Sequence, residues 1–185
     1  MTPVEQLESI VPSLNEMVER MWHGQLEYAT PCAEFTVHDL LDHMIVLGGA
    51  FAPMFRGEPG TEVTAPTVYG WVPAAEFTKS MNDLVDAVRS PGAMERVIDS
   101  PLGQVDGATF CRFVALDGLV HGWDLATAVG ARWDPPAAVV GAVDQFARAA
   151  ISAEVRESGA FAAAVEASVD ATPLQQLIAF TGRAA

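Results

Sequence analysis

Apolar residues recur at intervals of three and four along most of this 185-residue chain, and this periodicity limits the possible folds more than any other feature. Such a spacing places the apolar side chains on one face of an α-helix, which must then be covered by other helices. The first stretch is the clearest example; its apolar side chains are Val4, Leu7, Ile10, Val11, Leu14, Met17 and Val18. The pattern predicts a protein built mainly from amphipathic helices.

Start and stop signals divide the periodic stretches into elements. The first helix is predicted from about Pro3 to Met21 with Thr2 as its N-cap, and the second begins after Thr36, which forms a capping-box pattern with Asp39. The further predicted helices span about 73–88, 108–129, 135–157 and 172–180, with a loop over 57–70 and an extended hairpin within 94–108.

These elements indicate the fold class. Four substantial helices with little strand signal predict an all-α protein, an antiparallel four-helix bundle with additional short helices and a small hairpin. No internal repeat and no long linker divides the chain, so one domain is expected over residues 1–185.

Charge and composition exclude several classes of partner. The net charge of −14 repels phosphate backbones and anionic lipid, so neither nucleic acid nor a membrane is an expected partner. No secretion signal or long apolar span occurs, and Cys32 and Cys111 form neither a CxxC motif nor a thiolate zinc pattern. We expect a soluble, unprocessed, cytoplasmic protein whose partner is a small molecule.

Polar residues interrupt the apolar faces of the second and fourth helices. His43 lies within the apolar stripe of the second helix. On the fourth helix, Asp117, His121 and Asp124 follow one another along a face that begins with Phe110. Because Asp117 and His121 are four residues apart, their side chains meet on adjacent turns.

Two interpretations of these residues stay open at this stage. A divalent ion suits the donor set of two imidazoles and one carboxylate, with His43, Asp117 and His121 as ligands and Asp124 as a substitute ligand or supporting partner. Alternatively, Asp117 and His121 form a metal-free ion pair in the core. Trp123 is a further candidate for lining a pocket beside the site.

Three segments resemble the mycothiol-dependent maleylpyruvate isomerase N-terminal-type proteins, which belong to the wider DinB-like group. The segment TPCAEFTVHDLLDHMIVLGGAF (30–51) is similar to their TPC-x-x-W-T-V-x-D-L-x-x-H signature, LDGLVHGWDLATAVG (116–130) to their second signature, and TPLQQLIAFTGR (172–183) to their closing segment. The resemblance implies a four-helix bundle with a metal ion between its helices.

The resemblance also implies roles for single residues. The family's zinc ligands are a histidine of the second helix and a Glu-x-x-x-His pair, which correspond here to His43, Asp117 and His121. The sequence departs from the family at Asp117, where the isomerase has glutamate, and at Phe35, where it has tryptophan. The additional C-terminal domain of the isomerase is expected to be absent.

Two functions follow as hypotheses. The first is a metal-dependent enzyme in which zinc, or alternatively nickel, manganese or iron, activates mycothiol or another low-molecular-weight thiol for transfer or isomerisation. Arg112 and Arg56 are the candidates for holding an acidic substrate, and the sequence identifies no catalytic residue. The second is a non-catalytic bundle, expected as a homodimer, that binds a metal or a small molecule.

Overall fold

The computed structural model describes residues 1–33, 35–59, 74–100, 103–157, 159 and 161–184. Within these ranges the chain is mainly helical. The elements in chain order are α1 (Pro3–Glu19), a short 3-10 turn (His23–Gln25), α2 (Val37–Arg56), α3 (Ala74–Val88), β1 (Val97–Ser100), β2 (Gly103–Asp106), α4 (Gly107–Val129), α5 (Ala137–Ala150), α6 (Ala153–Glu157) and α7 (Pro173–Phe180).

Side-chain caps fix the starts of the helices that carry the site. The Thr36 hydroxyl oxygen accepts the backbone N–H of Asp39 at 3.2 Å, and the Asp39 carboxylate accepts the N–H of Thr36 at 2.9 Å. At α4, the Asp106 carboxylate accepts the N–H of Thr109 at 2.7 Å. These bonds satisfy N–H groups that have no partner within the helix, so both helices begin at defined residues.

Residues 2–133 form one compact unit. Within it, α1 packs against α3 and α4, and α2 packs against the same two helices, so the four helices enclose a common core. The largest fully buried side chains of this core are Leu7, Ile10, Leu14, Leu40, Leu41, Phe55, Phe77, Leu116, Leu119 and Leu125. The packing of α2 against α4 positions the site described below.

A two-stranded antiparallel hairpin leads directly into α4. Val97 pairs with Asp106 and Ser100 with Gly103, so β2 ends where the helix begins. At this junction the N–H of Gly107 donates to the Arg96 carbonyl at 2.8 Å. A Cβ at position 107 would overlap the backbone carbonyl of Ala93, so the close approach requires glycine.

Residues 134–185 belong to a second compact unit. In this unit α5 packs against α7, burying Val139, Val143, Leu177 and Ile178. The Arg156 guanidinium lies 4.8 Å from the ring centroid of Phe180, a cation–π distance. The single-domain organisation of residues 1–185 stays a prediction.

Most of the expected elements are confirmed, including the all-α class, the helix caps and the hairpin. The predicted end of the fifth helix was wrong. Instead of continuing to Glu157, α5 ends at Ala150, and Ile151 leaves helical geometry with a ψ angle of 82°. The Ser152 hydroxyl then accepts the N–H of Val155 at 3.3 Å, as a cap for a separate α6. The first helix ends two residues earlier than expected, at Glu19.

Two predictions concern residues that lie partly outside the described ranges. Most of the loop expected over 57–70, and the expected start of the third helix at residue 73, lie outside the described residues. None of the helices in the described ranges combines the length and the apolar character needed to span a bilayer.

Candidate metal centre

Helices α2 and α4 bring His43, Asp117 and His121 together. The Asp117 Oδ1 atom lies 3.2 Å from His121 Nε2 and 3.8 Å from His43 Nε2. The two imidazole rings meet edge to face, with centroids 5.2 Å apart. The i,i+4 spacing accounts for the contact between Asp117 and His121, and the packing of α2 on α4 adds His43.

His121 lies between two carboxylates. Its Nε2 atom faces Asp117, and its Nδ1 atom lies 3.0 Å from Asp124 Oδ2. Asp124 is fully buried, and the His121 side chain is only 9% exposed. A buried carboxylate is costly unless a donor or a cation compensates it, and His121 supplies a donor to Asp124.

The charges at the site shift each other's protonation. Burial alone would lower the pKa of His121, but the two carboxylates outweigh it and raise this pKa to about 9. For Asp117, burial acts in the raising direction, and the neighbouring His121 and His43 hold its pKa below the ordinary value. In the metal-free protein the site is therefore a coupled pair of acid and base, with Asp117 ionised.

The site opens to solvent at one side. The His43 side chain is 30% exposed and that of Asp117 is 36% exposed, whereas His121 and Asp124 lie deeper. Phe35 lies against His43, with ring centroids 5.5 Å apart. Asp117 is thus less buried than its position on the apolar stripe suggests, and a molecule can reach it from the side of His43.

Two distances at the site can be compared with those around a divalent ion. Around a tetrahedral zinc ion, bonds of about 2.0–2.1 Å place ligand atoms about 3.3 Å apart. The two distances from Asp117 Oδ1, 3.2 and 3.8 Å, lie close to this value. Among the described residues, two groups of histidine, cysteine, aspartate or glutamate side chains have donor atoms within 4.8 Å of one another, and these three residues form one of them.

Cys32 belongs to the other group, and sequence reasoning missed it. Its thiol, a ring nitrogen of His121 and a carboxylate oxygen of Asp124 lie within 4.8 Å of one another. Cys32 is half-buried in the loop before α2, whereas Cys111 is fully buried on α4. The position of a loop residue relative to a distant helix leaves no periodic signal in the sequence; only the TPC motif marked Cys32.

Within the described part of the chain, no hydrogen bond, ion pair or ring contact joins Arg112 or Trp123 to the three candidate ligands. At 100° per residue, Arg112 lies about 180° around α4 from His121, and Trp123 lies about 160° from it. Both are half-buried. Their roles in a pocket stay predictions.

Another tryptophan does contact the helix that carries the site. The Trp133 Nε1–H donates to the Leu119 carbonyl at 3.2 Å, and its ring covers Gly122, where a Cβ would overlap it. Gly122 therefore lets the indole approach α4 one residue after His121.

An apolar cavity lies beside Asp117 within the four helices. Leu14, Met44, Phe51 and Val114 are among the side chains that line it, and Asp117 is its charged member. Its volume of about 20 Å³ is enough for a water-sized group. This cavity therefore offers room beside Asp117 for little more than a water-sized group.

Comparison with known proteins identifies a family. Residues 7–126 match the family model described as "Mycothiol maleylpyruvate isomerase N-terminal domain". Uncharacterized proteins from two strains of Mycobacterium tuberculosis are each 33% identical over 162 residues, covering 86% of this chain and 85% of the relative. No solved structure matches significantly. The matched range contains Cys32, His43, Asp117, His121 and Asp124.

Proposed function

Because the chain belongs to the mycothiol maleylpyruvate isomerase N-terminal domain family, we propose that it is a divalent-metal-dependent enzyme acting on a low-molecular-weight thiol such as mycothiol. His43, Asp117 and His121 would hold the ion, most suitably zinc. The reaction class would be transfer of the thiol to an electrophile or a thiol-assisted isomerisation. The observation that carries the proposal is the meeting of the three donor groups between α2 and α4.

The composition of the site suits a thiol. Two neutral imidazoles and one carboxylate leave a divalent ion with a net charge of +1, which favours an added anionic ligand. When bound, such an ion lowers the pKa of a thiol and so supplies a thiolate at neutral pH. Three protein ligands leave a fourth position of a tetrahedral site for the thiol.

The surrounding residues orient the donors. With a metal bound, Asp124 would accept the Nδ1–H of His121, and Nε2, which faces Asp117, would be the ligand atom. A histidine that binds a metal commonly makes this kind of hydrogen bond with its second nitrogen, which fixes the ring and its tautomer. Phe35 restricts the ring of His43 from the other side of the site.

The aspartate at position 117 does not prevent this role. Glutamate in the family's pattern has one more methylene, so a shorter side chain requires a closer approach of the helices. Here Oδ1 of Asp117 already lies within 3.8 Å of both imidazoles, because α2 packs directly on α4. The aspartate therefore fits a ligand role in this bundle.

The site also restricts what can react there. The thiol and the electrophile would enter at His43 and Asp117, whose side chains are 30% and 36% exposed. His121 and Asp124 lie deeper, and their mutual hydrogen bond keeps the donors in place.

Two experiments, done one after the other, test the proposal: the first measures metal content and the second measures thiol reactivity. Protein purified without an affinity tag and reconstituted with zinc is expected to hold about one ion per chain, and His43→Ala and Asp117→Asn to hold much less. The zinc-loaded protein should then accelerate reaction of mycothiol with an electrophile, compared with the metal-free protein.

Two results would count against the proposal. Less than about 0.1 zinc per chain in the reconstituted wild type would exclude the metal site, leaving the metal-free ion pair. Full zinc binding without any acceleration across a panel of thiols and electrophiles would favour the non-catalytic binding function.

A further inference from the structure

Each of the two ring nitrogens of His121 lies beside a carboxylate. Nε2 lies 3.2 Å from Asp117 Oδ1, and Nδ1 lies 3.0 Å from Asp124 Oδ2. A histidine that binds a metal through one nitrogen commonly donates the other N–H to a carboxylate. Either nitrogen of His121 can therefore bind an ion, because a carboxylate is present to accept the proton on the other.

Each side of His121 carries a third donor, and these two donors differ in chemistry. On the Asp117 side the third donor is the imidazole of His43. On the Asp124 side it is the thiol of Cys32, which lies within 4.8 Å of the donor atoms of His121 and Asp124. One side thus offers two nitrogens and an oxygen, and the other a sulfur, a nitrogen and an oxygen.

We propose that Cys32, His121 and Asp124 form a second metal position, which takes an ion softer than zinc, and that the two positions exclude each other because they share His121. Zinc accepts thiolate, imidazole and carboxylate ligands, but ions softer than zinc gain most from a thiolate, so sulfur makes this position the softer of the two. Binding displaces the thiol proton of Cys32 to solvent and forms the metal–sulfur bond. The exclusion rests on the metal site proposed above.

The loop before α2 holds Cys32 near the required place. The N–H of Phe35 donates to the Cys32 carbonyl at 2.9 Å, and the N–H of Cys32 donates to the Thr30 hydroxyl at 3.2 Å. A tetrahedral ion with bonds of about 2.3 Å to sulfur and about 2.1 Å to nitrogen places these atoms about 3.6 Å apart. Because the thiol and the ring nitrogen of His121 lie within 4.8 Å of each other, they need to approach by at most about 1.2 Å.

Burial supports a cation at this position. Asp124 is fully buried, so a positive charge beside it is favourable. Cys32 is half-buried, so this third donor lies nearer to solvent than Asp124 does. Occupation of both positions would require His121 to lose the protons of both nitrogens, which is costly, so one ion per chain is expected.

Cadmium is the probe for the soft position, because a cadmium–thiolate bond gives a charge-transfer absorbance in the ultraviolet. Titration of the metal-free protein with cadmium is expected to produce this absorbance in the wild type, in His43→Ala and in the matched cysteine control Cys111→Ala. Cys32→Ser is expected to lose it. An absorbance that is absent from the wild type, or that persists in Cys32→Ser, would overturn the proposal.

Exclusion is tested on the protein preloaded with one equivalent of zinc and dialysed against cadmium. Elemental analysis is expected to find about one zinc lost for each cadmium bound, and in Cys32→Ser at least a tenfold weaker displacement. Retention of both ions would refute the exclusion. A wild type that binds no zinc but shows the Cys32-dependent absorbance would refute the proposed function and leave the soft position in place.

Discussion

Asp124 provides the strongest test of how the site is organised, because it touches His121 and is not one of the three proposed zinc ligands. Asp124→Asn keeps the size of the side chain, removes its charge, and replaces the carboxylate that lies 3.0 Å from His121 Nδ1. Loss of such a partner typically weakens metal binding by about 10–100-fold. This range corresponds to about 1.4–2.7 kcal/mol.

The loss of zinc affinity should lie within this range because His121 and Asp124 are both buried. Asp124 is fully buried, so water does not compensate for the lost negative charge, and among the described residues Asp117 is then the anionic neighbour that His121 keeps. Competition with a chromophoric chelator at fixed pH gives the zinc dissociation constant of each variant.

Asp42→Asn is the matched control. Asp42 lies on α2 next to His43 in sequence and pairs with His38 at 3.6 Å, so this change removes the same charge near the site without touching His121. We expect its zinc affinity to stay within about threefold of the wild type. An unchanged affinity in Asp124→Asn, or an equal loss in both variants, would refute the assigned role of Asp124.

Three further predictions concern stability and reactivity. Gly107→Ala should destabilise the protein by about 1–3 kcal/mol in urea unfolding, because its Cβ would overlap a backbone carbonyl, whereas Gly141→Ala, which meets no atom within 4 Å, should be neutral or stabilising by up to about 1 kcal/mol; equal effects would contradict this. In the folded metal-free protein, iodoacetamide should label Cys32 and spare Cys111, whose thiol is fully buried with its pKa raised to about 12, and mass spectrometry of the peptides would expose the reverse order. Because the pKa of His121 is raised to about 9, above its usual 6.5, the stabilisation it gives the metal-free protein is complete below pH 6.5 and is lost as the pH rises through about 9. Unfolding free energies across this range should fall more steeply for the wild type than for His121→Gln, and parallel curves would contradict the assignment.

Local sequence signals were sufficient to predict most of the bundle. Thr36 with Asp39 marked the start of α2, and Gly130 marked the end of α4, because capping depends on residues close together in sequence. The end of α5 was missed because the alanine-rich stretch has no strong breaker there. The cap at Ser152 is recognisable only when the chain has already left the helix at Ile151.

The site was predictable to the extent that it lies on helices. Asp117, His121 and Asp124 share a face of α4 by their spacing alone, and His43 interrupts the apolar stripe of α2. The approach of Cys32 to His121 depends instead on how a loop crosses α4, which no local pattern encodes. The different surroundings of Trp123 and Trp133 likewise follow from tertiary packing, since both are aromatic residues on or near the same helix.

Location of the ion itself tests the central claim most directly. Crystals of the zinc-loaded protein, measured on both sides of the zinc absorption edge, should show one anomalous peak between α2 and α4. We predict that it lies about 2.0–2.2 Å from His43 Nε2, His121 Nε2 and a carboxylate oxygen of Asp117. No peak at this place, or a zinc ion that lacks His43 or Asp117 as a ligand, would contradict the account.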